Sequence, residues 1–88
     1  MTELRLQKQQ LEWREVDGEV IALERKQSAY LAANQSGTLL WRALADGTSE
    51  VEMVRLLMSQ YDIDADTARA DVDGFVSNLD HLGLLERQ

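Results

Sequence analysis

The segment Asn34-Gln35-Ser36-Gly37-Thr38-Leu39-Leu40-Trp41, closed by Ala45-Asp46-Gly47, decides the fold of this 88-residue chain. Asn34 can cap a helix, because its side-chain oxygen accepts a hydrogen bond from a backbone N–H two or three residues later. Gly37, Leu40, Trp41 and Leu44 then share one face at helical spacing. Gly47 ends the helix, since glycine tolerates the left-handed conformation found there. The pattern predicts a helix over residues 36–45 with Trp41 in the core.

The residues before this helix predict a three-stranded antiparallel sheet. Leu11–Val16 and Glu19–Glu24 flank Asp17-Gly18, a strong hairpin signal because both central positions of a type I′ turn need positive φ. A second turn at residues 25–27 leads to a third strand over residues 28–33. Residues 1–9 lack periodicity and are predicted to form a flexible lead-in. One domain is therefore expected over residues 10–88.

The residues after the first helix are helical in pattern almost to the end of the chain. Ser49-Glu50-Val51-Glu52 has the spacing of a capping box and starts a second helix, for which the predicted buried stripe is Val51, Val54, Leu57, Met58 and Tyr61. Asp64 caps a third helix, whose apolar positions run to Gly83: Ala68, Val72, Phe75, Val76, Leu79 and Leu82. Leu84-Leu85-Glu86 either adds a short strand or simply packs. The predicted fold class is α+β, a winged helix-turn-helix-like arrangement of an N-terminal three-stranded sheet and three α-helices.

The composition is that of a globular domain, with 44% hydrophobic and 28% charged residues. No cysteine occurs, which excludes disulfides and thiolate metal sites. The first ten residues are polar and of mixed charge, unlike a secretory signal. No apolar run approaches the roughly 18 residues that a membrane span needs. We therefore expect a cytoplasmic protein with no membrane partner.

The sequence contains no pattern that predicts catalysis or a cofactor. His81 lies near the predicted end of the third helix, where the helix dipole favours a histidine, and a general base would need an oriented partner. The aspartates from Asp62 to Asp73 do not fit a calcium loop. Thr67 stands where the loop needs glycine, and Asp73 stands where it needs glutamate. No phosphate loop, dinucleotide motif or zinc spacing occurs. We expect no enzymatic activity, no metal and no cofactor.

The net charge of −7 is concentrated in the second half of the chain, which has ten acidic residues and three basic ones, Arg55, Arg69 and Arg87. A winged-helix DNA reader places its later helix in the major groove and meets phosphates with basic residues. The predicted third helix carries Arg69 alone against five aspartates. Nucleic acid is therefore not an expected partner. The acidic surface favours cationic partners or simply keeps the protein in solution.

The order and spacing of several short motifs resemble the PqqD-like family, whose small domains recognise leader peptides during ribosomal peptide modification. The resemblance covers about Leu11 to Glu86. Its motifs are Tyr30-Leu31-Ala32-Ala33-Asn34, Ser36-Gly37, Leu40-Trp41, Asp46-Gly47-Thr48, Tyr61-Asp62, Asp71-Val72, Phe75, Leu79 and Gly83-Leu84. Ala33 departs from the family pattern, which often has leucine there. The smaller side chain would widen or shallow the pocket under the third strand.

The resemblance implies a stand-alone recognition element that binds a precursor leader by β-strand addition to the third strand, beside the third helix. It implies lasso peptide biosynthesis first and a PQQ or radical-enzyme pathway second, with a separate leader protease or modifying enzyme as further partner. The apolar positions of the third helix span a wider arc than packing against two neighbours needs, so part of that face is expected to border the peptide. The predicted peptide-binding residues are Ser28, Ala29, Tyr30, Leu31, Ala32, Ala33, Asp71, Gly74, Phe75, Asn78, Leu79 and Leu82.

The residues themselves agree with this implication at the third strand. Residues 28–33 carry no charge and lack the lysine or proline that usually blunts an exposed sheet edge. An interior strand rich in alanine is the alternative explanation of the same residues. The competing function is a winged-helix-like interaction or regulatory module outside peptide maturation.

Overall fold

The computed structural model describes residues 3–7, 9, 11–26 and 28–87. Its elements, in chain order, are β1 (Leu4–Leu6), β2 (Leu11–Val16), β3 (Glu19–Glu24), β4 (Ala29–Ala33), α1 (Gln35–Asp46), α2 (Glu50–Gln60), α3 (Ala65–His81) and β5 (Leu85–Arg87). The antiparallel sheet has the order β2-β3-β4, and the three helices follow it. The predicted α+β fold is confirmed. Predictions that concern residues 1, 2, 8, 10, 27 and 88 lie outside the described residues.

The N-terminal segment differs from the sequence-based expectation. β1 pairs antiparallel with β5 in a second, two-stranded sheet, and Leu4 also exchanges two backbone hydrogen bonds with Thr48, at 2.6 and 2.9 Å. Leu4 and Leu6 are buried in the core. The prediction of a flexible lead-in is therefore wrong for residues 4–6. A three-residue strand has too little periodicity to detect, and its partner lies at the other end of the chain.

The β2–β3 hairpin closes as predicted through Asp17 and Gly18, which have φ values of 54° and 80°, as a type I′ turn requires. β3 then pairs with β4 in a register that sets Val20 opposite Ala33. β4 begins one residue later than predicted. Ser28 has a φ of 53°, so it belongs to the preceding turn and not to the strand.

All three predicted helix caps are present. Each accepts a hydrogen bond from the backbone N–H three residues on, at 2.9 Å for Asn34, 3.2 Å for Ser49 and 2.8 Å for Asp64. The backbone bond from Thr67 holds the pKa of the Asp64 carboxyl below its usual value. Gly47, with a φ of 95°, ends α1 as predicted. Local sequence therefore sets the helix starts.

The core joins the inner face of the sheet to α1, α2, α3 and β1. Among the described residues, fifteen apolar side chains are buried there: Leu4, Leu6, Leu11, Val20, Ala22, Leu40, Trp41, Leu44, Met53, Leu57, Ala68, Val72, Val76, Leu79 and Leu84. The predicted stripes of α1 and α3 are confirmed, with Phe75 and Leu82 half-buried. Within the described residues, no helix is long and apolar enough to cross a membrane.

The predicted buried stripe of α2 is confirmed at Leu57, which is buried, and at Val54, which packs half-buried against the core, but it is wrong at its other three positions. Met53 and Leu57 are its fully buried residues, whereas Val51, Met58 and Tyr61 are exposed. The sequence of α2 has apolar residues at helical spacing on two adjacent faces. Packing against α1 and α3 selects the face that contains Met53. The other face is left at the surface.

Candidate functional site

β4 forms one edge of the three-stranded sheet in the described part of the chain, with β3 as its neighbour in the sheet. A groove of about 200 Å³ lies between this edge and α3. The lining is mostly apolar: Val20, Leu31, Ala32, Ala33, Asn34, Gly37, Trp41, Phe75, Asn78 and Leu79. An open strand edge and an apolar groove therefore lie side by side.

Thr38 fixes the end of β4 against the rest of the fold. Its hydroxyl oxygen accepts a hydrogen bond from the Val20 backbone N–H at 2.9 Å, and the hydroxyl donates to the Ala33 carbonyl at 3.2 Å. Val20 and Ala33 are register partners in β3 and β4. The Thr38 side chain, which is 1% exposed, thus bridges the last pair of the ladder and connects it to α1.

This bridge also shows which backbone groups of β4 point toward the open edge of the sheet. The Ala33 carbonyl points toward β3, since it meets the hydroxyl that binds Val20 there. Backbone groups of successive strand residues point to alternate edges. Leu31 therefore also faces β3, whereas the N–H and C=O groups of Tyr30 and Ala32 face the open edge. These are the groups that a further strand would pair with.

Gly37 allows α1 to start close to β4 and α3. A Cβ added at Gly37 would lie 3.1 Å from the Ala33 Cβ, 3.3 Å from the Asn34 side-chain oxygen and 3.6 Å from Phe75. A larger residue at either Gly37 or Ala33 would therefore take space at this end of the groove. The alanine at position 33 leaves this space unfilled.

Trp41 contributes to the inner lining of the groove and is only 1% exposed, so its prediction as a core residue is confirmed. Its ring meets the Trp13 ring edge to face, with centroids 6.0 Å apart and an angle of 72°. The indole Nε1 has no hydrogen-bond partner among the described residues. Trp41 therefore joins the core to the groove.

The groove brings together six of the twelve predicted peptide-binding residues: Leu31, Ala32, Ala33, Phe75, Asn78 and Leu79. Tyr30 and Ala29 lie along the same strand. Asp71 and Gly74 lie one helical turn before Phe75 and Asn78, and Leu82 lies one turn after Asn78, so these three follow the same face of α3 beyond the groove. Ser28 lies in the turn before the strand.

Sequence reasoning missed four residues of the groove and one that supports it. The lining residues are Val20, Asn34, Gly37 and Trp41, and the support is Thr38. Four of these five belong to the segment that opens α1, so its tight spacing was an available signal. Val20 carried no such signal, because its place in the groove depends on how β3 and β4 pair.

An ion pair connects α1 to the sheet away from the groove. Arg42 hydrogen-bonds Glu15, and this bond holds the pKa of the Glu15 carboxyl below its usual value. Because both side chains are well exposed, the pair contributes little to stability. Among the described residues, no cluster of histidine and carboxylate side chains could hold a metal ion.

A larger groove of about 620 Å³ lies between α2 and α3. It is lined in part by Val51 and Met58, the exposed apolar residues of α2. Its two arginines, Arg55 and Arg69, each pair with a carboxylate on their own helix. This groove has no strand edge beside it. The β4–α3 groove is therefore the stronger candidate for the site, although it is smaller.

The sequence profile of the family described as Coenzyme PQQ synthesis protein D (PqqD) matches residues 19–85. No curated protein matches the chain in sequence.

Two solved structures share the fold. TbiB1 in complex with the TbiA(beta) leader peptide is 24% identical with a TM-score of 0.85, over 93% of this chain and 94% of that chain. A lasso peptide synthetase B1 complexed with the leader peptide is 23% identical with a TM-score of 0.82, over 94% and 96%.

Proposed function

This chain belongs to the PqqD family, and we propose on that premise that it binds the leader of a ribosomally synthesised precursor peptide. The leader adds as a strand to the open edge of β4, and the protein presents it to a separate maturation enzyme. The observation that carries the proposal is the open β4 edge beside an apolar groove. A lasso peptide leader protease system is the first choice, because both similar structures are B1 proteins with bound leaders. A PQQ or radical-enzyme pathway is the second.

The backbone supplies the affinity in this arrangement. The N–H and C=O groups of Tyr30 and Ala32 point toward the open edge, where they can form ladder hydrogen bonds with an extended peptide, whatever its sequence. β4 has neither the proline nor the charged side chains that commonly protect an exposed edge. The Thr38 bridge holds the strand in place before the peptide arrives, which lowers the ordering cost of binding.

The groove supplies the selectivity. Side chains alternate between the two faces of a strand, so every second residue of the leader points toward Leu31, Phe75 and Leu79. All three side chains are apolar; Leu31 and Phe75 are half-buried, and Leu79 is buried. They favour an apolar leader residue, with Asn78 able to hydrogen-bond a polar group at the rim.

The proposed role of this protein is that of an adaptor and not of an enzyme. The polar side chains that line the groove belong to Asn34 and Asn78, and an amide is neither a nucleophile nor a general base at neutral pH. The expected role is therefore to hold the peptide while a different protein performs the chemistry.

The direct test is titration of the purified protein with the leader of a precursor peptide encoded beside its gene. Saturable binding, with slowed amide exchange at Tyr30 and Ala32, is the expected result. Protection that arises elsewhere, with β4 unchanged, would refute the placement. Absence of binding to that leader would favour the competing function, an interaction or regulatory module outside peptide maturation.

A further inference from the structure

The outer face of the sheet is unusually apolar on the two strands nearest the open edge. In an antiparallel sheet with one solvated face, outward positions are normally polar. β2 follows this rule at Glu12 and Arg14 but not at Val16, and β3 follows it at Glu19 but not nearer the far end of the strand. We define the outer strip as the four outward apolar residues of β3 and β4: Ile21, Leu23, Tyr30 and Ala32.

Register joins the outer strip into one surface that reaches the open edge. Leu23 lies opposite Tyr30, and Ile21 lies opposite Ala32. Ile21 is 41% exposed and Tyr30 is 76% exposed, the largest value among the exposed large hydrophobic residues of the described chain. In the described part of the chain no helix covers this face, because α1 packs on the opposite one, where Val20 and Ala22 are buried.

We propose that the outer strip is a second recognition surface for the leader peptide, so that the leader is recognised on both faces of the extended sheet. The inference rests on the proposed strand addition at β4. A residue directly opposite Tyr30 in an added strand has its side chain on the outer face, about 5 Å from that of Tyr30. Its neighbours along the leader point into the groove. The strip therefore has a defined occupant, the outward side chains of the leader.

This arrangement defines the class of peptide that fits. Recognition by the groove alone would select apolar residues at every second leader position. Recognition on both faces selects a short run of consecutive apolar residues, with an aromatic or β-branched side chain opposite Tyr30, because such cross-strand pairs are favourable. Peptides that alternate between apolar and charged residues are poor ligands.

The test uses a display library of random cysteine-free decapeptides, selected on the intact protein. A peptide enriched by selection is then synthesised and replaced by serine at one position at a time. We expect losses of affinity at consecutive positions. In double-mutant cycles, the loss of affinity from serine at a peptide position that points to the outer face should depend on Tyr30→Ser. The loss from serine at a position that points into the groove should depend on Ala33→Leu.

Tyr30→Ser should weaken binding of the selected peptide about threefold to fivefold, the range of a cross-strand aromatic pair. Tyr30→Phe should retain affinity. Val16→Ser is the matched control, because Val16 is 40% exposed on the same face but lies two strands across and four residues further along, roughly 16 Å from Tyr30. Both exposed positions can change without unfolding the domain.

Equal affinities for Tyr30→Ser and Val16→Ser, or serine sensitivity at alternate positions only, would overturn the two-faced recognition while leaving strand addition intact. If Tyr30→Ser changed self-association but left peptide affinity unaltered, the outer strip would be a contact surface for a second copy of this chain. That result would overturn the two-faced recognition as well. Failure to enrich any peptide, together with no binding of the encoded leader, would overturn the proposed function itself.

Discussion

The two sides of β4 are built differently. Toward β3 and α1 the strand is closed: it pairs along its length, Thr38 bridges its last residue, and Trp41 fills the space beneath. Toward α3 it is open, because no described strand pairs with its edge and a groove lies beside it. The difference shows how a domain this small can be stable and still bind a peptide. The closed side holds the strand, and the open side leaves a row of backbone groups for a partner.

The largest expected effect is on the closed side, at Trp41. Trp41→Ala should lower the free energy of unfolding by about 3–5 kcal/mol, since it removes a large buried aromatic side chain. Urea denaturation measures this change. Trp13→Ala is the control and should cost less, because Trp13 is 38% exposed. A Trp41→Ala protein that kept normal stability but lost peptide affinity would show that Trp41 acts in peptide binding and not in stabilising the core.

Thr38→Val should follow, with a loss of about 1–3 kcal/mol. The substitution keeps the shape of the side chain but leaves the buried Val20 N–H without its acceptor. Thr38→Ser retains the hydroxyl and is the matched control. Denaturation curves that coincide for Thr38→Val and the parent would show that the bridge does not hold the strand.

Ala32→Pro separates the two sides directly. It removes an N–H that faces the open edge and leaves the β3 ladder intact. We expect an unchanged fold and affinity for the encoded leader weakened by about tenfold or more. Proline at Tyr30 should act in the same way. Leu31→Pro is the contrasting variant, because its N–H points toward β3 and its loss should destabilise the domain. Full leader affinity in a folded Ala32→Pro protein would exclude this edge as the binding site.

A smaller effect is expected from charge at the open side. Asp71 is exposed one turn before Phe75, where it can attract a lysine or arginine of the leader. Asp71→Asn should weaken binding about twofold, because exposed ion pairs are weak. Added salt should reduce affinity without abolishing it, since such charges are screened over roughly 8 Å. Affinity that does not depend on salt or on Asp71 would leave the apolar groove alone as the source of selectivity.

The smallest expected effect lies away from both sides of β4, at the cap of α3. The folded-state pKa of Asp64 is lowered by its bond from Thr67, so the cap stabilises the fold above the unfolded pKa of about 4. That stabilisation is lost as the pH falls through the lower folded pKa. Asp64→Asn keeps a capping oxygen but should remove this part of the acid dependence of the melting temperature. Leader affinity should not change. A change in affinity would show that the start of α3 and the groove are coupled.

Local residue choices alone predicted much of this protein. The Asp17-Gly18 turn, the three caps and the end of α1 at Gly47 each depend on neighbours within a few residues, and helical spacing predicted the face of α1 that buries Trp41. The family resemblance added the place of the site, and six of its twelve residues line the groove. The local features are confirmed because short-range hydrogen bonds and helical spacing settle their energetics, whereas the place of the site stays a prediction.

Tertiary structure alone decided the remaining features. The β1–β5 pairing joins the two ends of the chain, and α2 buries Met53 instead of Val51 because its neighbours select between two apolar faces. Thr38 became a bridge only when α1 brought its hydroxyl between Val20 and Ala33. Each of these depends on contacts between residues distant in sequence. Residue type and spacing limit such contacts, but packing of the whole domain determines which of them form.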